Sequence, residues 1–281
     1  MRIVVTGGSG KGGSFVVRDL RDHGHDVLNV DWRPDDHPIG KTLVTDLTDL
    51  GQTQDALAAA DAVVHFAAIP APGLRPEGET FRINGLSTYN VFQAAVDHRV
   101  KRVVWASSET VLGLPFDTPP PYLPADEEYP VRPETAYSLG KDLEEEMARQ
   151  FCRWDPELKM IGLRFSNVME PADYADFPSF DADPMLRKWN LWTYIDARDG
   201  AQAVRRALEL DANGMDVFQI ANADTVMTRS SAELAGAVFP GVPVRRAIGQ
   251  NEALVSIDKA RRILGYEPTH SWRDEIATAG D

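Results

Sequence analysis

Two textures alternate along the chain. Short apolar, β-branched runs recur between longer stretches whose apolar residues return every three or four positions. The first texture is that of strands covered on both faces, the second that of amphipathic helices. Arg2–Thr6 therefore reads as a strand, and Ser14–His23 as a helix with Phe15, Val16 and Leu20 on one side. Asp26–Val30 and Lys41–Val44 read as strands, and Asp49–Ala60 as a helix. The run Asp61–Ala68 predicts a buried strand, Phe81–His98 a helix, and Arg102–Ala106 the next strand. Tyr137–Trp154 predicts a long helix and Lys159–Arg164 another strand. Repeated strand–helix order predicts an α/β fold, a doubly wound parallel sheet with right-handed crossovers.

Two stretches break the rhythm. Leu112–Thr135 holds seven prolines, among them TPPPYLP, and predicts an irregular excursion. Glu170–Asn190 is polar and proline-punctuated, with aromatics at Tyr174, Phe177, Phe180 and Trp189. Long ordered loops of this kind serve as lids or binding loops where they are not plain surface. No internal repeat is visible, and no linker separates two independent domains.

Between the first strand and first helix lies TGGSGKGG, which raises the question of which phosphate its backbone receives. A triphosphate loop needs a glycine four residues before Gly-Lys and a Ser or Thr just after it. Val5 stands at the first position and Gly12 at the last, so both requirements fail. Gly7, Gly10 and Gly13 instead recur at intervals of three. That spacing suits a tight turn, close approach to a pyrophosphate, and a helix N-terminus aimed at the anion. The second strand ends in LNVD, placing Asp31 where a carboxylate accepts the adenosine ribose hydroxyls of a dinucleotide. A 2′-phosphate ~4 Å from that carboxylate would cost roughly 4 kcal/mol at an effective dielectric near 20. The expected cofactor is therefore NAD rather than NADP, with Arg33 and Lys11 as partial offsets.

The remaining bulk properties narrow the setting. With 29 Lys and Arg against 43 Asp and Glu, the net charge is −14. Such a chain is not expected to bind nucleic acid or anionic membranes, which need clustered cations. Cys152 is the single cysteine, so no intrachain disulfide forms. The six histidines show no metal-ligand spacing, and His65, inside an apolar strand, reads as a core residue. Met1-Arg2 runs directly into a strand, so no signal peptide is expected, and the expected location is cytoplasmic.

The chemistry is carried by a Y-x-x-x-K pair, Tyr137 and Lys141, one turn apart on the long predicted helix. A phenol of pKa near 10 is only ~0.1% ionised at pH 7. A neighbouring ammonium favours the phenolate, which can take a proton from a substrate hydroxyl as hydride leaves. Ser108, in WASSETVLG after a central strand, is placed to hydrogen-bond the substrate oxygen.

In order, TGGSGKGG, VD, TDL, HFAA, ASSETVLG, YSLGK, LRFSNVMEP, YIDARD and SIDKARRILGYEP resemble the extended short-chain dehydrogenase/reductases, the NAD-dependent epimerase/dehydratase family. The resemblance covers nearly the whole chain. It implies a Rossmann-type NAD(P)-binding domain over residues 1–165 and a small C-terminal substrate-binding subdomain over 166–281, with about 195–221 returning to the Rossmann core. It implies Ser108, Tyr137 and Lys141 as catalytic, with Tyr137 and Lys141 also on the cofactor. The glycine loop (Gly7, Gly10, Lys11, Gly12 and Gly13), Asp31, Asp46, Leu47, Ala67 and Ala68 would bind the dinucleotide. Asn84 matches a structural asparagine and Asn167 a residue facing the substrate. Homodimers paired through the helices of Asn84 and Tyr137 are also implied. Family dehydratases carry Asp-Glu after the catalytic hydroxyl, whereas this chain has Glu109-Thr110, which argues against elimination.

Three activities follow from the resemblance and the residues. The first is an oxidoreductase acting on a secondary-alcohol or hemiacetal carbon of a sugar-like substrate. The second is a nucleotide-sugar 4-epimerase with bound NAD, and the third a non-catalytic dinucleotide sensor. A sensor has no need of all of Ser108, Tyr137 and Lys141. The segment from Asn167 to Trp192 is short and mainly acidic: Glu170, Asp173, Asp176, Asp181 and Asp183 against Arg187 and Lys188. A diphosphate calls for cations, so the expected substrate is a free, carbohydrate-like molecule.

Overall fold

The computed structural model describes residues 1–34 and 40–279. Of the six histidines, His37 lies outside the described residues.

The chain runs β1 (Arg2–Thr6), α1 (Lys11–Asp22), β2 (Asp26–Asp31), β3 (Thr42–Val44), α2 (Leu50–Leu57) and β4 (Ala62–His65). It continues through α3 (Glu77–Asp97), β5 (Arg102–Ser108), α4 (Ala136–Trp154) and β6 (Lys159–Phe165). Then come β7 (Val168–Met169), α5 (Phe177–Phe180), β8 (Ile195–Asp196), α6 (Ala197–Glu209) and β9 (Gly214–Ile220). Three helices close it: α7 (Ser231–Val238), α8 (Asp258–Leu264) and α9 (Trp272–Ala279). Seven strands form one sheet in the order β3-β2-β1-β4-β5-β6-β9. The β3–β2, β2–β1, β1–β4 and β4–β5 pairs are parallel. This is the α/β Rossmann-like architecture that the alternating pattern predicts. Strand order reverses between β1 and β4, and at such a switch point ligands bind outside the carboxyl ends of the strands.

By spatial clustering the chain forms two compact units. The first comprises Met1–Ser107, Thr135–Leu163 and Ala201–Val217. The second comprises Ser108–Glu134, Arg164–Gly200 and Phe218–Asp281. The sequence reading places one boundary at residue 165. The proline-rich stretch 108–134 instead clusters with the second unit, because its side chains join that unit's core.

In the first unit, Val4, Val30, Val63 and Val103 fill the sheet while Phe92, Phe151 and Trp105 cover it. Phe92 meets Trp105 edge-on at 5.5 Å and Phe151 at 5.9 Å. Trp105 fits because position 162 is glycine: a Cβ there would lie 2.7 Å from its ring. His65 is the satisfied core residue expected. Its Nδ1 lies 2.7 Å from Thr6 Oγ1 and its Nε2 3.1 Å from Thr88 Oγ1. Burial, with the Lys141 charge second, pulls the imidazole down to about 3.

The second unit has its own aromatic core. Tyr174, Phe177, Tyr194 and Trp272 are fully or nearly fully buried together with Trp192 and Phe239. Tyr194 Oη donates to Asp224 at 2.8 Å. Trp192 is a fully buried packing residue whose Nε1 donates to Pro184 O at 2.7 Å. The polar stretch 170–190 is built of short turns, Pro171–Asp176, α5, Pro184–Leu186 and Lys188–Asn190. No helix among the described residues is long and apolar enough to cross a membrane.

Candidate active site

In the first unit, Gly7 turns with φ +72°, and its amide donates to Val30 O at 2.7 Å. A Cβ on Gly7 would lie 2.5 Å from Ala67 N, and one on Gly13 would lie 2.2 Å from Gly7 O. The helix α1 begins at Lys11, three residues before the predicted start, so Gly12 and Gly13 lie inside its first turn. Helical glycine costs ~1 kcal/mol against alanine. Here the close approach to Gly7 overrides that preference. Gly10 caps the helix without a side chain. The first-turn amides therefore carry no side-chain oxygen from the cap, as an incoming anion requires. Lys11 is exposed at the first helical position.

The strand β4 stops at His65, and Phe66, Ala67 and Ala68 leave the sheet half-buried, with Ala67 against Gly7. Asn84 fixes that exit, accepting from Ile69 N at 2.8 Å and donating to Ile69 O at 3.0 Å. Asp31 ends β2, its Oδ2 accepting from Ser9 N at 3.1 Å and Oδ1 from Trp32 N at 2.8 Å. The carboxylate thus braces the glycine loop, and each oxygen retains further acceptor capacity. Asp46 accepts from Thr48 Oγ1 (2.7 Å) and Thr48 N (2.9 Å), which hold it below the usual carboxylate range. Leu47 is buried, and its carbonyl accepts from Asn90 Nδ2 at 2.9 Å.

These features fit a dinucleotide pyrophosphate: the cradle is one a Cβ would fill. Sequence reasoning missed Asn29, whose Nδ2 donates to Ser9 Oγ (2.9 Å) and Thr42 Oγ1 (3.1 Å). An asparagine inside an otherwise apolar strand, two residues before Asp31, was the available signal.

The helix α4 opens with a capping box in which Thr135 and Ser138 exchange side-chain and backbone hydrogen bonds. That fixes Tyr137 and Lys141 on one face, buried at 8% and 4% exposure. Lys141 Nζ lies 5.9 Å from the Tyr137 ring centroid. The ammonium donates to Ala106 O at 2.8 Å and to Glu144 Oε2 at 2.9 Å. Burial alone would lower the Lys141 pKa. Burial is the largest single influence, but Glu144, Tyr137 and Glu145 together outweigh it and the net direction is upward, keeping the ammonium charged. Glu144 is a second residue that sequence reasoning missed, although its position three residues after Lys141 was readable.

In the second unit, Ser108 caps a short turn, Glu109–Leu112. Its Oγ accepts from Thr110 N (3.2 Å) and Thr110 Oγ1 (3.0 Å). Both acceptor sites of the hydroxyl are thereby used, and its own proton remains to donate. Asn167 is half-buried, with its amide donating to Glu109 Oε1 at 3.1 Å. Arg187 is buried, donates to Thr193 O at 3.2 Å, and lies 5.1 and 5.0 Å from the Phe180 and Trp189 ring centroids. Lys188 pairs with Asp117 at 3.3 Å.

Comparison with known proteins places the chain among its relatives. UDP-glucose 4-epimerase 2 of Oryza sativa subsp. japonica is 31% identical over 69% of this chain, which spans 50% of that protein's length. The uronate dehydrogenase of Pseudomonas syringae pv. tomato is 30% identical over 68% of this chain and 70% of its own. A short-chain dehydrogenase/reductase superfamily protein from Agrobacterium tumefaciens, solved with bound NAD, superposes with a TM-score of 0.77. It is 25% identical and covers 99% of this chain and 96% of its own. The cofactor is NAD. The model of the NAD dependent epimerase/dehydratase family matches residues 3–221, and the chain belongs to that family.

Proposed function

We propose that the protein transfers hydride between NAD and a secondary-alcohol or hemiacetal carbon of a free sugar or sugar acid. The buried Tyr137–Lys141 pair, one turn apart on α4, carries the reading. Gly7, Gly10, Lys11, Gly12, Gly13, Asp31, Asp46, Leu47, Ala67 and Ala68 hold the dinucleotide. Bound NAD supplies the hydride acceptor. Tyr137 takes the hydroxyl proton as the carbon gives up hydride, and returns it in reverse. Lys141 stabilises the phenolate. Two of its three N–H groups are committed to Ala106 and Glu144, and the third is assigned to the nicotinamide ribose. Ser108 donates its remaining proton to the substrate oxygen, and Asn167 faces the substrate.

The rival reading is a nucleotide-sugar 4-epimerase, favoured by the name of the rice relative. Its weakness lies in the cations a diphosphate would need, since Arg187 is engaged with Thr193 and two rings and Lys188 with Asp117. A screen of aldoses, uronic acids and UDP-sugars with added NAD separates the two. NADH accumulation on a free sugar supports the dehydrogenase, whereas interconversion of a UDP-sugar without NADH release overturns it.

The same proposal includes a homodimer and a cytoplasmic setting. Leu86 and Tyr89 on α3, and Leu139 and Leu143 on α4, are each about two-fifths exposed, an apolar strip suited to a second copy. Cytoplasmic residence accords with a chain whose single cysteine is buried and forms no intrachain disulfide.

A further inference from the structure

Glu109, next to the proposed substrate-orienting serine, is almost completely buried at 3% exposure. Its carboxylate gathers donors from two other segments of the second unit. Oε1 accepts from Asn167 N at 3.1 Å and from Asn190 Nδ2 at 3.3 Å, and Oε2 from Thr193 Oγ1 at 2.9 Å. Thr193 Oγ1 also receives Ser166 Oγ at 3.2 Å, and Asn190 Nδ2 donates to Thr193 O at 2.8 Å. Ser166, Asn190 and Thr193 are themselves buried at 3%, 1% and 0% exposure. A carboxylate is an acceptor-only group, so three converging donors suit it. Protonation of Oε2 would make it the donor to Thr193 Oγ1, whose own proton also reaches Asn190 O at 2.7 Å. The bonds from Asn167 N and Asn190 Nδ2 to Oε1 would lose their charge assistance.

We propose that Glu109 is a positioning residue for substrate binding: as a carboxylate it holds the Ser108 turn, Asn167 and the Asn190–Thr193 segment in one arrangement through charge-assisted bonds, and as a carboxylic acid it holds them more weakly. The proposal rests on the reading of Ser108 and Asn167 as substrate-facing groups. Burial is the largest influence on Glu109 and raises it to about 7, against the lowering action of Ser166, Thr193 and Asn190. Of the groups acting on it from neighbouring elements, Arg187 is charged and the other three are neutral. The switch therefore falls in the physiological range, with the more firmly held form on its alkaline side.

The test compares the whole wild-type chain with Glu109→Gln and Thr193→Val. With the sugar giving most NADH in the screen above, wild-type KM should rise as pH falls through about 7, while kcat carries no inflection from this group. In Glu109→Gln the KM inflection should vanish. In Thr193→Val it should move to higher pH, because a donor to the carboxylate is lost. An inflection that survives in Glu109→Gln, or one that resides in kcat, overturns the proposal.

Thermal unfolding supplies a readout independent of turnover. A folded-state pKa raised from the ordinary 4.5 to about 7 stabilises most below 4.5 and is lost by about 7. Wild type should thus lose stability relative to Glu109→Gln across that window and run parallel to it above. A flat difference overturns the proposal even if no sugar is turned over. Failure of the sugar screen alone overturns the proposed function and leaves the unfolding comparison to decide on Glu109.

Discussion

Tyr137→Phe keeps an aromatic ring beside Lys141 and removes only the oxygen proposed to carry the proton. Turnover should fall ~10²–10⁴-fold, the span of a positioned acid–base group, with NAD binding by equilibrium titration essentially unchanged. Lys141→Ala should damage both quantities, and it leaves Glu144, at 0% exposure, as a buried charge without its partner. Breaking such a pair costs roughly 3–5 kcal/mol, so the variant should also melt earlier. Turnover retained in Tyr137→Phe would remove the proposed mechanism. Asp31→Ala addresses the cofactor. It should weaken NAD and admit NADP, narrowing the gap between their dissociation constants. A wild type that already prefers NADP would mean that Arg33 or Lys11 dominates. Asp31 also braces Ser9, so NAD should lose more than NADP gains.

At the level of elements, Gly13→Ala isolates the packing of α1 on the glycine turn. Its Cβ would meet Gly7 O at 2.2 Å, and overpacking of this kind costs ~1–3 kcal/mol. Both melting temperature and NAD affinity should drop, and an unchanged Kd for NAD would disconnect the cradle from the cofactor. Most elements were legible because periodicity survives burial: β1, β2, α4 and β6 fall within a residue or two of their predicted bounds. The misses have physical causes. The helix α1 starts earlier than its glycines suggest because tertiary contact outweighs intrinsic propensity. The helix α3 begins at Glu77, four residues before the predicted Phe81, since its first turn, Glu77 to Thr80, has no apolar residue and so carries no apolar period. The candidate residues were readable from motif order. The donors around Glu109 were not, because Asn167, Asn190 and Thr193 are brought to it across more than fifty residues of chain.

For the molecule as a whole, the exposed strip of Leu86, Tyr89, Leu139 and Leu143 predicts self-association. Sedimentation should give twice the mass of the 31.0 kDa chain, and Leu86→Glu with Leu143→Glu should return it to the monomer mass. A wild type that sediments as a monomer at micromolar concentration would refute the pairing. The interleaving of the two units bears on how the protein is made. The sheet is completed by β9, whose first residues are Gly214–Val217 in unit one, after the chain has twice left and returned. A ribosome that has released only the first 165 residues has delivered β1–β6 but neither α6 nor β9. The nascent first unit must therefore wait, with one sheet edge uncovered, until the chain has been made through Val217. An open edge invites pairing with other chains. The interval between translating β6 and β9 is thus the stretch of synthesis in which that edge is open to other chains.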